Sequence, residues 1–119
     1  MIVGIGVDLT DISRLSAALA RTPALAARLF TESEQAAPAA SLAGCFAAKE
    51  ATAKALGGPR GLRWTDVSIS HDSRGRPLLS VTGTVAAAAA ELGVTGWHLS
   101  ISHDAGLCLA MVIAEAAAR

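Results

Sequence analysis

The chain has 119 residues, enough for a single domain over residues 1–119 with a modest core. Its 10 basic and 10 acidic residues cancel, which argues against a nucleic-acid or membrane-surface binder, and no apolar run reaches the roughly 18 residues of a membrane span. The acidic residues after the apolar start are not typical of a signal peptide, so we expect a cytoplasmic protein. Cys45 and Cys108 have no metal-type spacing and are expected to be buried.

The chain begins with a predicted strand and helix. Residues 2–7 are rich in β-branched residues and glycine, which favours a short buried strand that presents Asp8 at its end. Thr10 or Asp11 is suited to cap a helix that runs to about Arg21. Asp8 therefore lies where strands often present functional groups.

Shorter helical pieces are predicted next. Pro23 ends or bends the first helix, and residues 24–30 form a second piece. Thr31 with Glu34 makes a capping-box pattern, which predicts another turn or two of helix.

The longest predicted helix covers residues 44–57, because alanine, leucine, lysine and glutamate favour helices and Gly57 is suited to end one. Glu50 and Lys54 lie about 40° apart around such a helix and share a face, whereas Lys49 points away from both. Pairs of this kind are usually exposed ion pairs worth a few tenths of a kcal/mol. A functional interpretation therefore needs further residues.

The second half of the chain predicts two hairpins with a helix between them. The predicted elements are strands over 62–70 and 78–81, a helix over 85–92 capped by Thr84, and strands over 97–102 and 107–114. Together with the first half, they predict an α+β fold in which antiparallel strands carry helices on one face.

One short sequence occurs twice in these hairpins. Ser-Ile-Ser-His-Asp is found at 68–72 and again at 100–104, each time at a predicted strand end before a glycine turn. Turn chemistry accounts for such an echo as well as a true repeat does, so both interpretations stay open. No catalytic role is assigned to His71.

Four residues form a candidate site for a divalent cation and a phosphate: Asp8, Glu50, Lys54 and His103. Magnesium typically takes one or two protein carboxylates and leaves its other positions to water and phosphate oxygens. A lysine can offset phosphate charge, and a histidine can donate a hydrogen bond or move a proton. Spacing alone does not show that the four side chains converge.

Several motifs, in this order and at these separations, resemble one family. They are GIGVDLTDISRL at the start, FAAKEATAKALG in the middle, GRP in the first hairpin and SISHD near the end. They are similar to the holo-acyl-carrier-protein synthases, the short 4'-phosphopantetheinyl transferases. The resemblance implies a magnesium-dependent transfer of 4'-phosphopantetheine from coenzyme A to a serine of apo-acyl carrier protein, in support of fatty acid biosynthesis. It also implies a homotrimer with active sites between subunits.

The resemblance also implies residue roles. Asp8 and Glu50 match the metal-binding carboxylates, and Lys54 matches a lysine beside the phosphates of coenzyme A. The other matched nucleotide-binding positions are Lys49, Gly57 and His103. The loop after Gly57 reads GGPRG, in which Pro59 and Arg60 depart from the expected plainer turn. The base that takes the serine proton stays open between Glu50 and a water on the cation.

Partner recognition has a candidate surface. Arg14, Arg21 and Arg28 recur every seven residues, which would form one basic stripe on a continuous helix, although Pro23 must bend it. A solvated charged face is an equal alternative. Because acyl carrier proteins are acidic, the resemblance favours docking at these arginines, with Arg14 the best-matched position.

Two other classes remain open. A metal-dependent phosphohydrolase could use the His-Asp pairs at 71–72 and 103–104, although two such pairs without further ligands are weak support for a dinuclear site. A non-catalytic oligomeric binding module with a purely structural central helix is the other.

Overall fold

The computed structural model describes residues 1–58 and 60–118. Their helices and strands alternate as an α+β fold, which confirms the predicted class. In chain order they are β1 (Ile2–Asp11), α1 (Ile12–Arg21), α2 (Leu25–Leu29), α3 (Glu32–Gln35), α4 (Ala39–Ala55), a 3-10 turn (Trp64–Asp66), β2 (Val67–His71), β3 (Pro77–Val81), α5 (Gly83–Glu91), β4 (Gly96–Asp104) and β5 (Leu107–Glu115).

Three strands form the main sheet, in the order β1-β5-β4, and both pairings are antiparallel. The turn between β4 and β5 places Ala105 and Gly106 at positive φ, as a tight hairpin requires. Strand β1 continues four residues beyond the predicted end at Val7. Asp8 therefore lies within the edge strand, opposite Ala110, and not at its tip.

Helix α4 lies directly on this sheet because the facing residues are small. A methyl group at Gly4 would come 1.9 Å from the carbonyl oxygen of Ala55, and one at Gly6 would come 1.7 Å from that of Ala51. Such distances leave no room for any side chain. Gly4, Gly6 and Asp8 alternate along one face of β1, so Asp8 is the first residue beyond Gly6 on that face to carry a side chain.

Strands β2 and β3 form a separate two-stranded sheet that pairs with neither β1, β4 nor β5. Its buried side chains, Val67 and Ile69, join the core that α4 shares with β5. Both predicted hairpins are therefore confirmed. The predicted strand over 62–70 is partly wrong, because its first half forms a loop and the 3-10 turn.

The helix boundaries follow local hydrogen bonds. Asp11 caps α1 by accepting from the amide of Arg14 at 2.9 Å, and the predicted Thr31–Glu34 capping box is present. Helix α4 begins at Ala39, directly after Pro38, five residues before the predicted start. The prediction that Thr84 caps α5 is wrong, because Thr84 is not the N-cap residue of this helix.

Thr82 is the N-cap residue of α5, and Thr84 is the second residue of the helix. There its amide and hydroxyl donate to the Asp66 carboxylate at 2.8 and 2.7 Å. A carboxylate from the preceding 3-10 turn therefore caps α5, an arrangement that sequence spacing does not reveal.

The outward face of the main sheet is apolar and exposed. Its large side chains are Ile5, Val7, Leu9, Leu109 and Met111, with exposed fractions between 42% and 59%. No helix within residues 1–58 and 60–118 is long and apolar enough to span a membrane.

Candidate functional site

The two predicted metal-binding carboxylates line one groove between β1, α1 and α4. This carboxylate groove encloses about 410 Å³ and is lined by residues that include Asp8, Thr10, Asp11, Arg14, Phe46 and Glu50. Asp8 comes from the strand and Glu50 from the helix that the glycines bring against it. The groove therefore brings together Asp8 of the opening motif and Glu50 of the central motif.

Asp8 is held by two neighbours. Its Oδ2 accepts from the hydroxyl of Thr10 at 3.2 Å, and its Oδ1 accepts from Lys54 Nζ at 3.1 Å. Lys54 also donates to the carbonyl of Val7 at 3.0 Å, and half of its side chain remains exposed. The lysine therefore pairs with Asp8 and not with Glu50, and its third donor is not engaged by these two bonds.

Burial raises the pKa of the Glu50 carboxyl, and the nearby charge of Asp8 raises it further, while Lys54 acts in the opposite direction. Two carboxylates that share a partly desolvated groove repel each other when both are ionised. A cation between them would relieve this repulsion.

The donor set fits magnesium. Two carboxylates of the groove supply hard oxygen ligands, and magnesium commonly keeps its remaining positions for water and substrate phosphate. Within residues 1–58 and 60–118, no group of three or more histidine, cysteine, aspartate or glutamate side chains is arranged to hold a metal. The set is therefore too small for a closed structural site and leaves room for a substrate.

His103 lies elsewhere, in a second cavity. This histidine cavity encloses about 540 Å³, and its lining includes Glu34, Gly44, Ser70, His71 and His103. It shares no lining residue with the carboxylate groove. A single chain therefore does not bring all four predicted residues together.

Both copies of the repeated Ser-Ile-Ser-His-Asp sequence contribute to this cavity. Ile69, Ser70 and His71 line it from the first copy, and Ile101 and His103 from the second. His103 also faces α4, because a methyl group at Gly44 would lie 3.3 Å from its Nε2. The repeat is visible in the sequence, but the sequence does not show that both copies would line one cavity.

Lys49 does not occupy the predicted position beside a nucleotide. Its side chain is fully buried, and Nζ donates to Glu34 Oε1 at 2.8 Å and to the carbonyls of Trp64 and Val67 at 3.0 and 2.6 Å. Its three donors are thereby used within the chain. We therefore leave Lys49 out of the nucleotide site.

The other predicted positions are distributed over the surface. Arg14, Arg21 and Arg28 are exposed, but the first two belong to α1 and the third to α2, so no continuous stripe forms, and only Arg14 lines the carboxylate groove. Gly57 has the positive φ expected after a helix. Pro59 of the following loop lies outside the described residues.

Cys45 and Cys108 are buried, as predicted. Burial raises the pKa of both thiols, so neither is a thiolate near neutral pH.

Comparison with known proteins defines the class. A family model described as the 4'-phosphopantetheinyl transferase superfamily matches residues 4–111. The chain belongs to this superfamily. It is 60% identical over 120 residues to the holo-[acyl-carrier-protein] synthase of Streptomyces coelicolor, an alignment that covers 96% of this chain and 98% of that protein.

Solved structures agree with this assignment. The holo-[acyl-carrier-protein] synthase of Neisseria meningitidis superposes with a TM-score of 0.87 at 35% identity, over 97% of this chain and 99% of that one. The Helicobacter pylori synthase, solved in complex with coenzyme A, superposes with a TM-score of 0.83 at 31% identity, over 93% and 99% of the two chains.

Proposed function

We propose that the chain transfers 4'-phosphopantetheine from coenzyme A to a serine of apo-acyl carrier protein and releases adenosine 3',5'-bisphosphate. The observation that carries the proposal is the groove shared by Asp8 and Glu50, in a chain 60% identical to a holo-[acyl-carrier-protein] synthase. Fatty acid biosynthesis consumes the product of this reaction, and the cytoplasm is the proposed location.

Asp8 and Glu50 are proposed to hold magnesium, which when bound would offset the negative charge of the coenzyme A pyrophosphate. Thr10 and Lys54 fix the Asp8 carboxylate by the two hydrogen bonds described above. Lys54 retains a donor for a phosphate oxygen. Phosphoryl transfer depends mainly on such positioning and charge compensation.

Glu50 is the proposed base for the carrier serine. In the metal-free protein, burial and the charge of Asp8 raise the pKa of the Glu50 carboxyl, and a cation held by both carboxylates would offset the effect of Asp8. A water held near the cation is the alternative base.

A trimer is proposed because the site is divided. Asp8, Glu50 and Lys54 lie in one groove and His103 in another cavity, so a neighbouring subunit would supply the histidine for the nucleotide phosphates. The exposed apolar side chains of β1 and β5 offer a surface on which a neighbouring copy could pack. Gly57 is the further proposed nucleotide contact.

Acyl carrier protein is proposed to dock beside the carboxylate groove. Arg14 is exposed at the rim of this groove and would meet an acidic partner, with Arg21 and Arg28 adding positive charge along α1 and α2.

The phosphohydrolase alternative has less support. The Asp72 carboxylate accepts the amides of Arg74 and Arg76 at 2.8 and 2.9 Å, and this ties it into the β2–β3 turn. It is therefore a turn residue and a poor candidate for a metal ligand.

The test is to incubate the purified protein with coenzyme A, magnesium and an apo-acyl carrier protein and to weigh the carrier by mass spectrometry. We expect a gain of one 4'-phosphopantetheine, which Asp8→Ala and Glu50→Ala abolish and Glu91→Ala, an exposed acid at the end of α5, preserves. Release of phosphate with an unmodified carrier would favour the phosphohydrolase. An unmodified carrier without phosphate release would favour the non-catalytic binding module.

A further inference from the structure

Two buried charged side chains, Glu34 and Lys49, form an ion pair that the proposed reaction does not use. The distance between Glu34 Oε1 and Lys49 Nζ is 2.8 Å, and the side chains are 4% and 0% exposed. Burying two charges is costly unless each is paired and fully hydrogen-bonded. The surroundings of this pair show that both conditions are met.

Backbone groups satisfy the rest of both side chains. Glu34 accepts from the amides of Thr31 and Ile69, each at 2.8 Å, and Lys49 donates to the carbonyls of Trp64 and Val67. Among the described residues, no buried side-chain polar atom lacks a partner. The pair therefore joins α3, α4, the 3-10 turn and β2.

This connection is important for β2 because its sheet is not hydrogen-bonded to the main sheet. The Val67 amide donates to the carbonyl of Trp64 in the adjoining 3-10 turn, and within the described residues the other hydrogen bonds that β2 makes beyond β3 end on this pair, at the carbonyl of Val67 and the amide of Ile69. The two charged side chains thus fix where β2 lies along α4 and which way the strand is turned. Apolar packing alone is less specific in direction.

The pair stands between the two parts of the proposed site. Ser70 and His71, the next residues of β2, line the histidine cavity together with Glu34 itself. Lys49 immediately precedes Glu50 on α4, so the pair also lies next to the residue that α4 contributes to the carboxylate groove.

We infer that Glu34 and Lys49 are positioning residues that hold the β2 wall of the histidine cavity in its nucleotide-binding form. The inference rests on the proposed function, because it takes this cavity as the place where the nucleotide of coenzyme A binds. Loss of one partner should loosen the wall while the rest of the core persists. Nucleotide affinity should then fall more than the loss of stability alone explains.

The first measurement uses the unaltered protein and tests the connection itself. Hydrogen exchange followed by NMR should show the Ile69 amide exchanging as slowly as the amides in the middle of α4, because Glu34 holds it. Exchange of this amide within minutes, while α4 stays protected, would overturn the inference. This result does not depend on whether the protein binds coenzyme A.

The second measurement compares Glu34→Gln with Val112→Ala, a truncation in the buried face of β5 that touches neither cavity. The two are studied at temperatures equally far below their melting points, with adenosine 3',5'-bisphosphate binding followed by calorimetry. We expect Glu34→Gln to weaken binding at least tenfold and Val112→Ala less than threefold. Glu34→Asp should recover part of the affinity, because it retains the charge.

Equal affinity losses in Glu34→Gln and Val112→Ala would reduce the pair to a core element and overturn the inference. If the unaltered protein bound no bisphosphate, the proposed function would fail, while the exchange measurement would still decide whether the pair holds β2. If Glu34→Gln did not fold, Lys49→Gln, which removes the other charge of the pair, would take its place in the binding comparison with the same expected and contradicting results.

Discussion

At the scale of single residues, the carboxylate groove holds two acidic side chains, Asp8 and Glu50, that repel each other when no cation is bound. Asp8 is pinned by Thr10 and Lys54, and Glu50 remains in a partly buried position beside it. Repulsion between like charges is common at cation-binding sites, because the bound cation removes it and this contributes to the binding free energy. The pKa of Glu50 provides a way to measure it.

Glu50→Gln should stabilise the metal-free protein at neutral pH while abolishing transfer. Because the pKa of Glu50 is raised in the folded state, ionisation costs stability above that pKa, and the cost disappears as the pH falls below the unfolded value of about 4.3. Urea unfolding at pH 8, 6 and 4 without divalent cations should therefore show a gain that shrinks in acid. A gain that is constant with pH, or a loss at pH 8, would contradict this.

Arg14→Glu should raise the Michaelis constant for the carrier at low salt and leave that for coenzyme A nearly unchanged. Reversal of one rim charge slows encounter with an acidic partner, and salt screens the effect. Steady-state kinetics at two ionic strengths measure it, with Arg74→Glu on the β2–β3 turn as the matched reversal. An unchanged constant for the carrier in Arg14→Glu would remove the docking surface.

At the scale of elements, the fold brings the strand carboxylate and the helix carboxylate together by removing side chains between them. Gly4 and Gly6 face Ala55 and Ala51 at distances that admit no methyl group, and Asp8 follows on the same strand face. The contact of β1 with α4 thus sets how closely the two acids approach.

Gly6→Ala should destabilise the protein by about 3 kcal/mol or more, since its methyl group would force α4 away from β1. Thermal and urea unfolding measure this loss. Gly96→Ala is the matched control, because it also lies in a strand but its methyl group would enter open space. Equal stability of Gly6→Ala and Gly96→Ala would show that the close contact is not needed.

Much of the element pattern was predictable from sequence. Both hairpins, the capping box at Thr31 and the helix that ends before Gly57 follow from turn residues and local spacing. The start of α4 at Ala39, directly after Pro38, was not predicted, although proline is a local signal for a helix start. The capping of α5 by Asp66 and the burial of Lys49 could not be predicted, because each depends on a segment distant in the chain. Charge pattern alone cannot separate a lysine in a buried pair from a ligand-binding lysine.

At the scale of the whole molecule, one chain does not form the complete proposed site, because its residues line two separate cavities. The sequence motifs named Asp8, Glu50, Lys54 and His103 as a set, but their division between a groove and a cavity is a property of the folded chain. The apolar outer face of the main sheet offers a surface through which copies would associate and complete it.

Met111→Lys should convert the proposed trimer to monomers and reduce transfer strongly, since it places a charge in the middle of the apolar sheet face. Light scattering coupled to size exclusion gives the mass, and circular dichroism checks the fold. Leu92→Lys, at an equally exposed leucine beyond α5, should change neither mass nor activity. A trimeric Met111→Lys protein would move the interface elsewhere.

The central claim is that Asp8 and Glu50 together hold one divalent cation. Titration of the protein with manganese, followed by electron paramagnetic resonance of the free ion, tests it without any substrate. We predict one site per chain that magnesium displaces and that is lost in both Asp8→Asn and Glu50→Gln but kept in Glu91→Gln. Unchanged manganese binding in either of the first two variants would contradict the account.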